Sequence, residues 1–228
     1  MQDDQAPTAD EFAWRALDIV GDDAVSYLQT QVSQDLLGDG AWPRWSALLN
    51  PDGTVLSAGT LSLIEAGLEY VVPAATLEAV RARLSRFRLR SRCTIGDGRI
   101  VPGPYASTHD AIEDGWPGPA EFAAQLVAQS FGSRFVQRTV SFTKGCFTGQ
   151  ELVGRLDARG SSVPWRLVRV RGDLLTDMDA FLRSAGPAGP SGVSTSVHDG
   201  HEYVALGFAH RTLLDVAPPA GVVLEALA

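Results

Sequence analysis

The chain has 228 residues, a formal net charge of −8 and 45% hydrophobic residues, long and apolar enough for a sizeable core without disulfide or metal staples. The negative balance argues against nucleic-acid binding over the whole surface, and no run of about 18 apolar residues offers a membrane span. Cys93 and Cys146 form neither a CxxC pair nor a Cys/His cluster, and the opening MQDDQAPTADEF lacks the basic and apolar regions of a signal peptide; a reduced, cytoplasmic protein is expected.

In chain order, residues 16–37 read as a short strand, a turn at Gly21-Asp22 and a helix whose Val25, Leu28, Val32 and Leu36 make an apolar stripe. Residues 45–49 read as a strand, and Asn50-Pro51-Asp52-Gly53 is a hairpin turn returning through 54–63. A short strand over 68–72 ends at Pro73. Residues 75–88 read as a helix with Leu77, Val80, Leu84 and Phe87 on one face, followed by a strand over 92–95. Residues 96–118 are rich in Gly, Pro and Asp and read as connection. A helix is expected over 121–129 and a strand over 140–142. Past Gly160, strands are expected at 166–170, 192–197 and 203–209, with a loop over 184–192. The expected class is α+β: an α+β domain over 1–163, compressed around 96–118, and a small C-terminal β-barrel over 164–228.

Residues 81–92, RARLSRFRLRSR, hold six arginines, so the remainder carries −14 (−8 less 6). The run reads as a solvated helix face, as a grip on a carboxylate ligand, or, last in rank because Phe87 is its only aromatic, as an RNA contact. Direct nucleic-acid binding is not expected. His198 and His201 sit close together without an evident third ligand, which argues against zinc. No Walker A or dinucleotide-binding pattern is present.

The stretch KGCFTGQELVGRLDARG, residues 144–160, carries the chemistry. Gly145 and Gly149 allow a sharp turn and close approach of a ligand to the backbone. Lys144, the only lysine of the chain, and the start of a following helix both favour a Cys146 thiolate, with Glu151 in partial opposition. A buried, inert thiol is the competing reading. Alkylation is expected at Cys146 before Cys93.

KGCFTGQELVGR resembles the K-G-C-Y-x-G-Q-E signature of the YgfZ-type folate-binding proteins, relatives of the glycine-cleavage T-protein, an aminomethyltransferase. Phe147 replaces the usual tyrosine. GDDAVSYLQTQVSQDL, WSALLNPDGTVLSAGTL, AIEDGWPG and GVSTSVHDGHEYVALGFAHR extend the resemblance over most of the chain. It implies a T-protein-like fold, tetrahydrofolate or a one-carbon derivative in a central cavity, and support of iron–sulfur cluster assembly or repair and, through it, of tRNA modification. Iron–sulfur enzymes or assembly proteins would be its partners. In that reading Cys146 is the functional thiol and Lys144 its electrostatic support. Gln150 and Glu151 fix the loop, and Arg155 faces the ligand or Glu151. Glu121, or else Glu113, accepts from the pterin, and Tyr70 stacks on it. The alternatives are a folate-dependent aminomethyl or one-carbon transferase, and a non-catalytic scaffold that has lost folate binding. Two departures weigh against aminomethyl transfer: Pro73 stands where T-proteins carry an asparagine ahead of their catalytic aspartate, and the motif reads GQE where they read GK. The compressed middle removes one cavity wall of the resembling proteins, so tight folate binding is expected to require a homodimer.

Overall fold

The computed structural model describes residues 13–160 and 163–227; the acidic segment 1–12 lies outside them. The first sheet is antiparallel and ordered β2 (Arg44–Leu49), β3 (Val55–Ile64), β4 (Gly67–Pro73), β1 (Trp14–Val20); β5 (Thr94–Ile95) and β6 (Arg99–Val101) pair with opposite ends of β1. The β2–β3 hairpin turns on Gly53, whose φ of +84° favours glycine. One face of the sheet is covered by α1 (Ala24–Gln31) and α2 (Leu77–Phe87), which bury Leu17, Ile19, Leu61, Leu68 and Tyr70 with Leu28, Val80 and Leu84.

The second sheet is antiparallel, ordered β10 (Val222–Ala226), β7 (Trp165–Gly172), β9 (Tyr203–His210), β8 (Gly192–His198), with α7 (Leu175–Arg183) packing Met178, Phe181 and Leu182 on one face. Among the described residues its outer strands β10 and β8 do not pair, so the sheet stays open where a barrel was expected. Four strands are too few to enclose a core by closing on themselves, and α7 buries the face instead.

Between the sheets lie α3 (Thr108–Glu113), α4 (Pro119–Phe122), a 3₁₀ turn (Ala128–Phe131) and α5 (Ser133–Thr139). Their Phe122, Phe131 and Phe135, with Trp116 from the α3–α4 connection, meet Ala47, Leu49 and Val55 of the first sheet and Leu167, Leu206 and Phe208 of the second. The stretch 96–118, expected as connection alone, therefore also carries β6 and α3 and contributes to the core.

Three further expectations fail for tertiary reasons. The first helix ends at Gln31, and Val32 is already extended, bridging to Leu48. The helix expected over 121–129 stops after Phe122 because the backbone beyond it is used by β3: Val55 N–H donates to the Leu126 carbonyl, and Val127 bridges to Thr54. The strand expected over 140–142 is absent. Val140 instead caps α5, whose final carbonyls accept from the side chains of Ser33 and Gln34. No helix among the described residues is long and apolar enough to cross a membrane.

Candidate functional site

The stretch 144–149 is held at both ends. Lys144 Nζ donates to the carbonyls of Gln29 (2.6 Å), Val32 (2.7 Å) and Gln34 (2.8 Å). It thereby caps the C-terminal end of α1, where carbonyls have lost their helical partners. Burial pushes this ammonium down to about 8, and the nearby Asp35 carboxylate opposes that shift. Thr148 N–H donates to the Thr30 carbonyl, and Gln150 Oε1 accepts from Phe147 N–H. The Phe147 ring is buried in the central core, with Lys144 Nζ 5.1 Å from its centroid. Gly149 has φ +80°, and a Cβ there would lie 2.6 Å from the Asn50 carbonyl oxygen, so the loop rests directly on the β2–β3 hairpin.

Between these anchors Cys146 is exposed, and a Cβ placed on Gly145 would meet nothing within 4 Å. Helix α6 (Gln150–Ala158) follows, with Glu151 and Arg155 paired one turn apart on its exposed face. A shallow depression lined by Pro51, Phe147, Gly149, Gln150, Glu151 and Gly154 adjoins the loop. Lys144, Cys146, Gln150, Glu151 and Arg155 thus form one continuous loop and helix start. The Lys144 charge is directed into the end of α1.

The two candidate glutamates lie in different settings. Glu121 is fully buried: Oε2 accepts from Gly118 N–H (2.7 Å), and Oε1 accepts from the hydroxyls of Thr195 (2.7 Å) and Ser194. It fastens α4 to β8. Glu113 ends α3 and lines a cleft of about 260 Å³ with Asp114, Trp116, Arg134, Arg138 and Arg169. Its carboxylate accepts from Arg171 Nη2 at 2.6 Å to each oxygen. Tyr70 is wholly buried among the residues under α1 and α2, its hydroxyl donating to the Ser46 carbonyl at 3.2 Å; burial raises its pKa. Cys146 is not among the residues lining the Glu113 cleft.

The cleft contains residues that sequence patterns did not single out. Asp114 accepts from Arg138 (2.6 Å), Arg134 and the Tyr105 hydroxyl. Burial raises its carboxyl, but these partners outweigh that and hold it below the usual carboxylate range. The Arg138 guanidinium lies 4.5 Å from the centroid of the Trp45 ring and 5.2 Å from that of Trp116. Trp116 is buried, and no group among the described residues accepts from its indole N–H. The one sequence signal for this cluster was Asp114 standing next to Glu113; Arg138 and Trp45 are distant in sequence.

Two antiparallel sheets around a layer of short helices make a fold that is also found among solved structures. One solved structure that the chain resembles is glycine cleavage system aminomethyltransferase T from Bartonella henselae, with a TM-score of 0.55 and 13% identity over 96% of this chain and 84% of that one. At that identity the likeness establishes the fold. No family model and no curated protein matches the chain.

Proposed function

We propose that this chain is a folate-binding protein of the T-protein fold that presents Cys146 as a functional thiol, rather than an aminomethyltransferase. The observation carrying the reading is the conjunction of that fold with a KGCFTGQE loop anchored around an exposed cysteine. The Glu113 cleft has groups that suit a pterin: carboxylates for its amino and ring N–H groups, and aromatic walls. Glu113 would take the pterin here, since it lines the cleft, whereas Glu121 is fully buried and is not among the lining residues. Bound tetrahydrofolate would supply a carrier for one-carbon units. Within this reading the chain is a YgfZ-type accessory protein of iron–sulfur assembly or repair, acting through it on tRNA modification in the cytoplasm. The support for that is the motif resemblance, and the iron–sulfur enzymes or assembly proteins are its proposed partners.

The test is titration with tetrahydrofolate followed by tryptophan fluorescence, since Trp116 lines the cleft and Trp45 packs against it. A hydrogen bond to a charged group is worth about 1.5–3 kcal/mol, so Glu113→Gln should weaken binding by about 10- to 150-fold. Absence of binding by the unaltered protein would leave only the scaffold reading, and equal binding by Glu113→Gln would remove the cleft from the proposal. Formation of methylenetetrahydrofolate from an aminomethyl donor would favour the transferase.

A further inference from the structure

Arg83, in the middle of α2, is 8% exposed. Its Nη1 donates to Gln31 Oε1 at 3.1 Å. Among the described residues, neither Nε nor Nη2 has an acceptor, and both atoms are buried. The charged or titratable groups felt by this guanidinium are Tyr27 and Arg86, and neither is a carboxylate. A guanidinium keeps its charge in any protein setting, so this is a buried cation without a counter-charge, which is costly.

The chemistry of the unpartnered edge is specific. Nε–H and the adjacent Nη2–H point the same way and form the fork that meets two oxygens of a planar carboxylate or a phosphate. Three other arginines use that same edge on an acid. Arg81 donates through Nε and Nη2 to Glu78, Arg92 to Asp23, and Arg169 to Glu225. Arg83 alone of these four presents the fork without an acid. The Phe87 ring stacks against the guanidinium, with its centroid 3.9 Å from Cζ, and is itself 40% exposed at the last position of α2. Beyond it Leu89 is 82% exposed and Arg90 has a positive φ, so the chain leaves the helix over open surface.

We infer that the Nε/Nη2 edge of Arg83 is a binding site for a small oxyanion, a carboxylate or phosphate group, which is admitted when the Phe87 ring swings aside. Arg86 adds a second positive charge to the same locality. The inference does not rest on the folate reading.

Thermal unfolding of the full chain in sodium phosphate, sodium acetate and sodium chloride at matched ionic strength and pH tests it. Phosphate or acetate should raise the midpoint above that in chloride, by about 3–6 °C at a concentration about ten times Kd. A rise with phosphate alone identifies a phosphoryl ligand, and a rise with acetate a carboxylate. Phe87→Ala should give the rise at lower anion concentration. Arg83→Met should abolish it while unfolding in chloride no earlier than the unaltered protein, because a charge without a partner is replaced by an apolar side chain. Should Arg83→Met not fold, Arg83→Lys keeps the charge without the fork and should also lose the rise. Retention of the rise in the Arg83 variant, or the same midpoint in all three salts for both the unaltered protein and Phe87→Ala, overturns the proposal.

Discussion

Replacing Lys144 with Met sets two opposed effects against each other. The variant removes a buried ammonium, and burial of that charge is unfavourable, as its depressed pKa shows. It also takes away three hydrogen bonds at the point where α1 ends and the motif loop begins. Bonds to a charged donor are worth about 1.5–3 kcal/mol each, and the desolvation of one ion costs several kcal/mol, so the gross terms nearly cancel. What decides the sign is what remains. The Val32 carbonyl is buried and has no route to water, which costs about 1–3 kcal/mol, while the Gln29 and Gln34 carbonyls are partly buried and lose less. A net destabilisation of about 2–4 kcal/mol is expected, a fall in Tm of about 5–15 °C for a chain of this size. Urea unfolding at pH 7 measures it, and hydrogen exchange should show the loss of protection concentrated in the last turn of α1. The same lysine gives a pH signature. Its folded value of about 8 lies below the unfolded one, so the unfolded chain binds more protons between about pH 8 and 10.4, and stability from this group rises with pH over that window. The Met variant should lack that rise. Equal or greater stability of Lys144→Met at pH 7 would show that the three carbonyls do not hold the loop.

Limiting iodoacetamide near neutral pH should label Cys146 before Cys93, since Cys146 is exposed while Cys93 is buried with its thiol pKa raised by that burial; peptide mass spectrometry reads the order, and the reverse order would remove Cys146 as the accessible thiol. Gly149→Ala forces a side chain into a φ of +80° against the Asn50 carbonyl and should cost about 2 kcal/mol or more in denaturant unfolding, whereas Gly145→Ala, with open space around it, should be nearly neutral. Asp114 has a depressed folded pKa, so the stability it contributes is present above its unfolded value of about 3.9 and is lost as pH falls through the folded one. Asp114→Asn should be less stable at pH 7 and show a flatter acid limb, followed by circular dichroism; an unchanged acid limb would refute the assignment of that contribution to Asp114.

What could be read from the sequence follows the reach of the interactions involved. The Asn50–Gly53 turn and the alternating strands on either side depend on neighbours within a few residues, and they stand where expected. Helix α2 declares itself through Leu77, Val80 and Leu84 on one face. The end of α1 could not be placed, because its partner Lys144 lies more than 110 residues away. The same holds for the stretch after Phe122, whose backbone is claimed by β3, and for α5, whose last turn is met by Ser33 and Gln34. Helix α7 was missed although Met178, Phe181 and Leu182 share a face, because the surrounding turns suggested strands only. At the site, the motif marked its own residues but not the direction of the Lys144 side chain. Proximity of Lys144 and Cys146 in sequence carried no information about the end of α1 and the residues after it, whose Gln29, Val32 and Gln34 carbonyls accept the three bonds. The Asp114–Arg138–Trp45 cluster joins three separate segments and leaves no pattern in any one of them.

The size of the Glu113 cleft constrains how the proposed ligand could be held. Its volume of about 260 Å³ falls below the range of about 300–1,000 Å³ usual for sites that bury a drug-sized ligand. It suits a bicyclic ring and leaves the rest of a folate outside. Leu227 contributes to the cleft wall and packs against Gly115 and Gly132. Each 100 Å² of apolar ligand surface left in water forfeits about 2.5 kcal/mol, close to a hundredfold in affinity. The polar groups add a second restraint, because Glu113 and Asp114 already accept from arginines and a pterin must share their oxygens. A carboxylate has room for such sharing, with about four acceptor positions, but the gain is smaller than for a free acid. Both restraints point to modest affinity of the cleft for folate.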